Sequence, residues 1–209
     1  MENPRVNVQF PFLEELQDQP SAWSGHMDFV YRLIQEIKPK CIVELGVHWG
    51  HSLFCMAQAC RDLGLKTRIT GIDHWQGDDS AGNWGEEWGD RILNKVKYIR
   101  SEYFPGQRIT LVKRSFDDAI ELFLSGRKFN FPVDVLHIDG SHDYESVRSD
   151  FDNYMPLVTK GGVILLHDVE VPHMGVKRLF SEIKQEHPDW AFSVNPGSFG
   201  LAVIEKKSE

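Results

Sequence analysis

Short apolar runs alternate along the chain with amphipathic stretches, and the two kinds repeat with different periods. Within residues 26–38, Phe29, Val30, Leu33, Ile34 and Ile37 recur at the spacing of one helix face, and Pro39 then ends the helix. Beyond it, apolar runs predict strands over 41–45, 68–72, 109–113, 133–138, 163–167, 191–194 and 201–205. Amphipathic stretches predict helices over 52–63, 86–103, 116–124, 144–157 and 175–186. Runs such as VDVLHID and GVILLHD are apolar on both strand faces, so helices must cover both sides of the sheet they form. This alternation predicts a largely parallel α/β sheet, in which ligands bind beyond the carboxyl ends of the strands.

Composition narrows the class. A chain of 209 residues with 41% hydrophobic and 26% charged content suits a single domain, 1–209, with a substantial core. A net charge of −8 argues against nucleic acid and against an anionic membrane surface, although Lys95, Lys97 and Arg100 make a local basic patch. No apolar run approaches the roughly 20 residues of a membrane span, and MENPRVNVQF lacks the regions of a secretion signal, so a cytoplasmic protein is expected. Cys41, Cys55 and Cys60 lie in apolar sequence without CxxC spacing, as buried thiols in a reducing compartment do.

The unusual residues fall at strand ends. The first strand runs into Glu44, Gly46 and Gly50, an ExGxxxG pattern followed by Ser52. A dinucleotide fingerprint would read GxGxxG, and His48 stands where its second glycine belongs. Glu44 suits a cationic ligand group such as the amino group of an amino-acid-like cofactor, while the glycine turn admits its carboxylate end; a plain connecting turn is the alternative. Asp73, after the second strand, is placed either to accept ribose hydroxyls or to cap the next segment. Ser115, Phe116 and Asp117, after the third, offer a ring for adenine and polar groups for its amino edge, or a core residue and helix caps.

The fourth and fifth strands end in IDGSHDYE and LLHDVEVPH, which bring Asp139, His142, His167 and Asp168 to neighbouring tips. Asp139, His167 and Asp168 make an O/N/O set for Mg²⁺, Mn²⁺ or another divalent ion, and His142 is placed to take a proton from a bound hydroxyl. Helix-capping acids and histidines that satisfy backbone groups are the plainer reading. Trp75, Trp84 and Trp88, set among glycines and acids, predict a lid over the site or an oligomer contact. His173 and Met174 are candidates for an acceptor pocket, and His48, Trp49 and His51 for ligand contact or surface.

Taken together, Glu44-x-Gly46-x-x-x-Gly50, Asp73, Ser115 to Asp117, IDGSHDYE and GGVILLHD resemble the class I S-adenosylmethionine-dependent methyltransferases. More narrowly, the chain resembles a small group of bacterial glycan and natural-product enzymes, relatives of catechol and macrolide-sugar O-methyltransferases. The resemblance implies a Rossmann-like, seven-stranded, mostly parallel sheet with an antiparallel last strand and helices on both faces. It sets an N-terminal helical cap, 1–38, before a cofactor-binding core, 41–205. It assigns S-adenosyl-L-methionine to Glu44, Gly46, Val47, Gly50, Ser52, Asp73, His74, Ser115, Phe116 and Asp139. A divalent metal falls to Asp139, His167 and Asp168, and catalysis to His142 with Asp139. In two respects the chain departs from the catechol-type pattern: a histidine replaces an acid in the fifth-strand pair, and histidine replaces lysine at the base. The implied reaction is methylation of a hydroxyl on a sugar or another small molecule, with a small-molecule or glycan acceptor and a homo-oligomer left open. A metal-dependent hydrolase and a non-catalytic cofactor-binding domain are the rival readings.

Overall fold

The computed structural model describes residues 8–77, 85–126, 131–172 and 175–207. Seven strands form one sheet: β1 (Cys41–Leu45), β2 (Arg68–Asp73), β3 (Arg108–Lys113), β4 (Val133–Ile138), β5 (Val158–His167), β6 (Ala191–Asn195) and β7 (Leu201–Glu205). Their order is β3-β2-β1-β4-β5-β7-β6; the first five pair in parallel, and β7 runs antiparallel to both β5 and β6. The chain leaves β1 in one direction to build β2 and β3 and returns on its other side as β4. The crevice between the ends of β1 and β4 is therefore the switch point at which such sheets bind ligands.

Alternation along each strand divides the core into two layers. Ile42, Val135, Leu165 and Val203 face one layer, closed by α1 (Met27–Ile37), α2 (His51–Asp62) and α3 (Gly85–Tyr103). Val43, Leu136, Ile164 and Ile204 face the other, closed by α4 (Phe116–Leu124), α5 (Tyr144–Tyr154) and α6 (Gly175–Glu186). Two 3-10 turns, Pro11–Leu16 and Ala22–His26, precede α1. Phe12 is buried between Phe54 and Phe104, which stack on each other at 5.2 Å, so the N-terminal segment belongs to the first layer.

Several boundaries differ from the sequence expectation, each for a local reason. β5 starts at Val158 rather than 163, because backbone hydrogen bonds between Gly161, Gly162 and Lys206 carry pairing through residues without apolar side chains. α5 ends at Tyr154, and Met155–Leu157 tightens into a 3-10 turn in which Pro156 has no N–H to continue the helix. Lys95 of the basic patch is paired with Glu15 at 2.7 Å. All three cysteines are buried and free, and burial pushes the Cys41 and Cys60 thiols up to about 11. No helix among the described residues is long and apolar enough to cross a membrane.

Candidate active site

A cavity of about 650 Å³ opens over the carboxyl ends of β1, β2, β4 and β5. Its floor is the glycine turn after β1. Gly46 has φ +88°, and a Cβ there would lie 1.9 Å from the Asp139 carbonyl oxygen at the tip of β4, so glycine alone lets the two strand ends touch. Asp73 holds the turn from β2: Oδ2 accepts from the backbone N–H of Val47 at 3.0 Å and of His48 at 2.9 Å, and Oδ1 from that of Trp75 at 2.6 Å. His48, Trp75 and Asp168 all adopt left-handed backbone without being glycine, at φ of 48°, 55° and 64°. Strain of this kind persists where surrounding contacts over-determine the chain, and functional sites concentrate it.

Below the turn, Glu44 points into the first layer, as its two-residue offset from Ile42 requires. Across the β1–β4 register it faces His137, whose Nδ1 lies 2.8 Å from Glu44 Oε1, both side chains being fully buried. The indole N–H of Trp23 points to the other ring nitrogen, Nε2, at 3.2 Å. An indole N–H can only donate, so Nε2 accepts and Nδ1 carries the proton given to Glu44. Burial pushes the Glu44 carboxyl above its usual range, against the opposing hydrogen bonds of His137 and Ser52.

At the tips of β4 and β5 four titratable side chains converge. His142 Nε2 lies 2.9 Å from Asp168 Oδ2, and His167 Nδ1 lies 3.1 Å from both Asp168 Oδ2 and Asp139 Oδ1. His167 Nε2 is 3.0 Å from the Ser198 carbonyl, which only accepts. With carboxylates at one nitrogen and a carbonyl at the other, both nitrogens carry protons and the ring is a cation. Burial disfavours that charge, but Asp139 and Asp168 outweigh it and push the imidazole up to about 10. Burial likewise opposes the charge on Asp168, yet His142 and His167 hold its carboxyl far below the usual range; Asp139 is lowered in the same way by His167.

The expected metal set is Asp139, His167 and Asp168, and the structure brings these residues together with His142. His167 stands beside the two acids as their counter-charge. The convergent donors are Asp139, His142 and Asp168, one atom of each lying within 4.8 Å of the others. Two carboxylates and an imidazole fit a divalent ion that accepts nitrogen, such as Mn²⁺ or Zn²⁺, better than the all-oxygen preference of Mg²⁺.

The remaining expected residues divide. Val47, Ser52, His74 and Phe116 line the cavity with Gly46 and Asp73, whereas Glu44 and Gly50 lie behind its wall. Gly50 is the left-handed cap of α2, where a Cβ would strike the Phe54 ring. Ser115 caps α4, its hydroxyl accepting from Asp118 N–H at 3.2 Å, and still reaches the cavity. Trp75 is neither lid nor interface: it is fully buried, donates its indole N–H to the His48 carbonyl at 3.0 Å, and packs under Gly89 of α3. Trp88 is exposed on α3, edge-on to Trp49. Trp84, His173 and Met174 lie outside the described residues. Sequence reasoning missed His137, Trp23, Asp150 and Phe199, of which all but His137 line the cavity.

Comparison with known proteins places the chain by family and by fold. The pattern of one family, described as a methyltransferase domain, matches residues 43–169, more than half of the chain. The uncharacterized protein y4gI of Sinorhizobium fredii is 34% identical over 190 residues; the match covers 90% of this chain and 19% of that much longer protein. The chain thus spans about a fifth of that relative. Among solved structures, a putative caffeoyl-CoA O-methyltransferase from Staphylococcus aureus superposes with a TM-score of 0.66 at 19% identity, covering 96% of this chain and 93% of that one. The O-methyltransferase TomG from Streptomyces achromogenes, in complex with S-adenosylmethionine, superposes at 0.60 with 16% identity, covering 97% and 93%. These likenesses show the fold, and the family match with the glycine turn and acid-rich rim supplies the rest: the chain belongs to the methyltransferase domain family.

Proposed function

We propose that the chain binds S-adenosylmethionine across the β1–β4 crevice and transfers its methyl group to a hydroxyl of a small molecule, a sugar or another hydroxylated compound. One observation carries this reading: the glycine turn, Asp73, Phe116 and the His142–Asp168 pair share the rim of one cavity in a chain of this family. The cofactor complex of TomG, with the same fold, supports the choice of methyl donor.

When bound, the donor supplies an electrophilic methyl group on a sulfonium. The chain's own residues do the rest. Gly46 and Val47 give the close backbone approach, and Glu44, buried behind Ser52, adds negative potential under the methionine amino group. Three backbone donors already bind Asp73, so its carboxylate has room for about one ribose hydroxyl. Phe116 provides an apolar wall for adenine. His142, paired through Nε2 with Asp168 at 2.9 Å, takes the acceptor hydroxyl proton, and the carboxylate stabilises the imidazolium that forms. In a metal-loaded site Asp139, His142 and Asp168 would instead hold a divalent ion, which would itself acidify the acceptor hydroxyl, with His142 a ligand and not the base. Alignment of the two reactants supplies much of the rate.

Incubation with methyl-labelled S-adenosylmethionine and a panel of catechols, phenols and methyl glycosides tests the proposal. Label should appear as an O-methyl product of one acceptor class. Binding of the donor with no transfer across the panel would favour a non-catalytic domain, and no affinity for the donor would favour the hydrolase reading.

A further inference from the structure

The inward stripe of α5 contains one residue of the wrong polarity. Val147, Phe151 and Tyr154 pack into the second core layer, while Asp150, on the same face, is only 6% exposed and lines the cavity. No hydrogen bond to its carboxyl is found among the described residues; its surroundings are desolvation and the like charges of Asp117 and Asp143. A buried carboxyl without a partner costs free energy unless a ligand supplies one.

The neighbourhood indicates which ligand. Asp150 Oδ2 lies 3.7 Å from where a Cβ on Gly140 would sit, and the Phe116 ring comes within 2.5 Å of the same point. Tyr154 donates to the Phe116 carbonyl at 2.7 Å and ties α4 to α5 here. The Phe116 ring thus covers Gly140 with Asp150 beside it, and all three line the cavity, so a flat ring stacked on the open side of Phe116 has the Asp150 carboxyl at its edge. A neutral carboxyl offers one donor and one acceptor side by side, the pattern with which an asparagine amide pairs with adenine.

We propose that Asp150, as the carboxylic acid, reads the adenine edge of the cofactor, accepting from the exocyclic amine and donating to the adjacent ring nitrogen. This rests on the methyl-donor reading above. Burial, with Asp117 on α4 and Asp143 on α5, pushes Asp150 up to about 7, so the acid form is available at neutral pH. Burial raises the Tyr154 hydroxyl well above its ordinary range, and hydrogen bonds from Ser141 and Ser146 hold Asp143 at about 2, so neither changes charge between pH 6 and 8.5. Above pH 7 Asp150 loses its donor, and the carboxylate then faces a ring-nitrogen lone pair.

Calorimetric titration of S-adenosylhomocysteine into wild type, Asp150→Asn and Asp150→Ala between pH 6 and 8.5 tests this, with the purine analogue of S-adenosylhomocysteine that lacks the exocyclic amine as second probe. Wild-type affinity should fall at least about tenfold over that range. Asp150→Asn should keep its affinity, across the whole range, within about twofold of the wild-type value at pH 6, since its amide keeps both functions and does not titrate. Asp150→Ala should bind at least about tenfold more weakly at pH 6 and lose the preference for the adenine probe. Retention of the wild-type pH slope by Asp150→Asn, or of the adenine preference by Asp150→Ala, overturns the proposal while leaving the donor reading intact. Should Asp150→Ala not fold, the asparagine comparison decides. Absence of S-adenosylhomocysteine binding by all three proteins overturns both.

Discussion

Glu44 Oε1 and His137 Nδ1 meet at 2.8 Å with neither side chain exposed, joining the end of β1 to the interior of β4 beneath the cavity. Trp23 fixes the tautomer of that imidazole from the N-terminal turn. His137→Leu should therefore strand a buried carboxyl and cost about 3 kcal/mol or more, while Trp23→Phe, which removes one donor, should cost about 1–2 kcal/mol. Urea denaturation at pH 7 measures both. A leucine variant as stable as wild type would mean that the pair does not hold β1 to β4.

Gly46 and Gly64 both adopt positive φ, at +88° and +67°, but only Gly46 has a neighbour in the way of a side chain. Gly64→Ala should cost about 1 kcal/mol, from backbone strain alone. Gly46→Ala adds a collision with the Asp139 carbonyl and should cost about 3 kcal/mol or more, with loss of S-adenosylhomocysteine binding. Equal melting temperatures for the two variants would show that the strand ends have slack.

His142 is assigned the proton transfer and Asp168 the support of its charge. His142→Gln should lower kcat by roughly 10²–10⁴-fold and leave S-adenosylhomocysteine affinity within about twofold. Steady-state kinetics beside calorimetry separates the two effects. Unchanged kcat would remove His142 from the chemistry.

Asp150 also predicts a pH dependence of folding. Its carboxyl lies higher in the folded state, at about 7, than the ordinary 3.8, so the protonated fold is favoured at low pH. That contribution is complete below pH 4 and is lost as pH rises through 7, amounting to roughly 4 kcal/mol for a rise of this size. Asp150→Asn should be more stable than wild type at pH 8 and lack this component of the slope. Parallel stability curves for the two proteins from pH 4 to 8 would refute it.

How far the sequence revealed this site follows from what periodicity can encode. The strands, the helices on both faces and the polar strand tips were legible, because each depends on local pattern. The contact of His167 with the Ser198 carbonyl, 31 residues on, has no local signal in the sequence. The glycine- and acid-rich neighbours of Trp75 suggest a lid or an oligomer contact, but its burial depends on α3 passing overhead, with Gly89 admitting the contact. His137 shares a strand face with Val135, and only the β1–β4 register puts it opposite Glu44. Asp150 carried a readable signal, an acid within the Val147, Phe151 and Tyr154 stripe.

A crystal structure of the chain with S-adenosylhomocysteine tests the central claim most directly. The account predicts the nucleoside lying across the crevice between β1 and β4, its ribose at Asp73 and its adenine between Phe116 and Asp150. Crystals grown at saturating ligand that show it elsewhere, or show that crevice filled only by solvent, would contradict it.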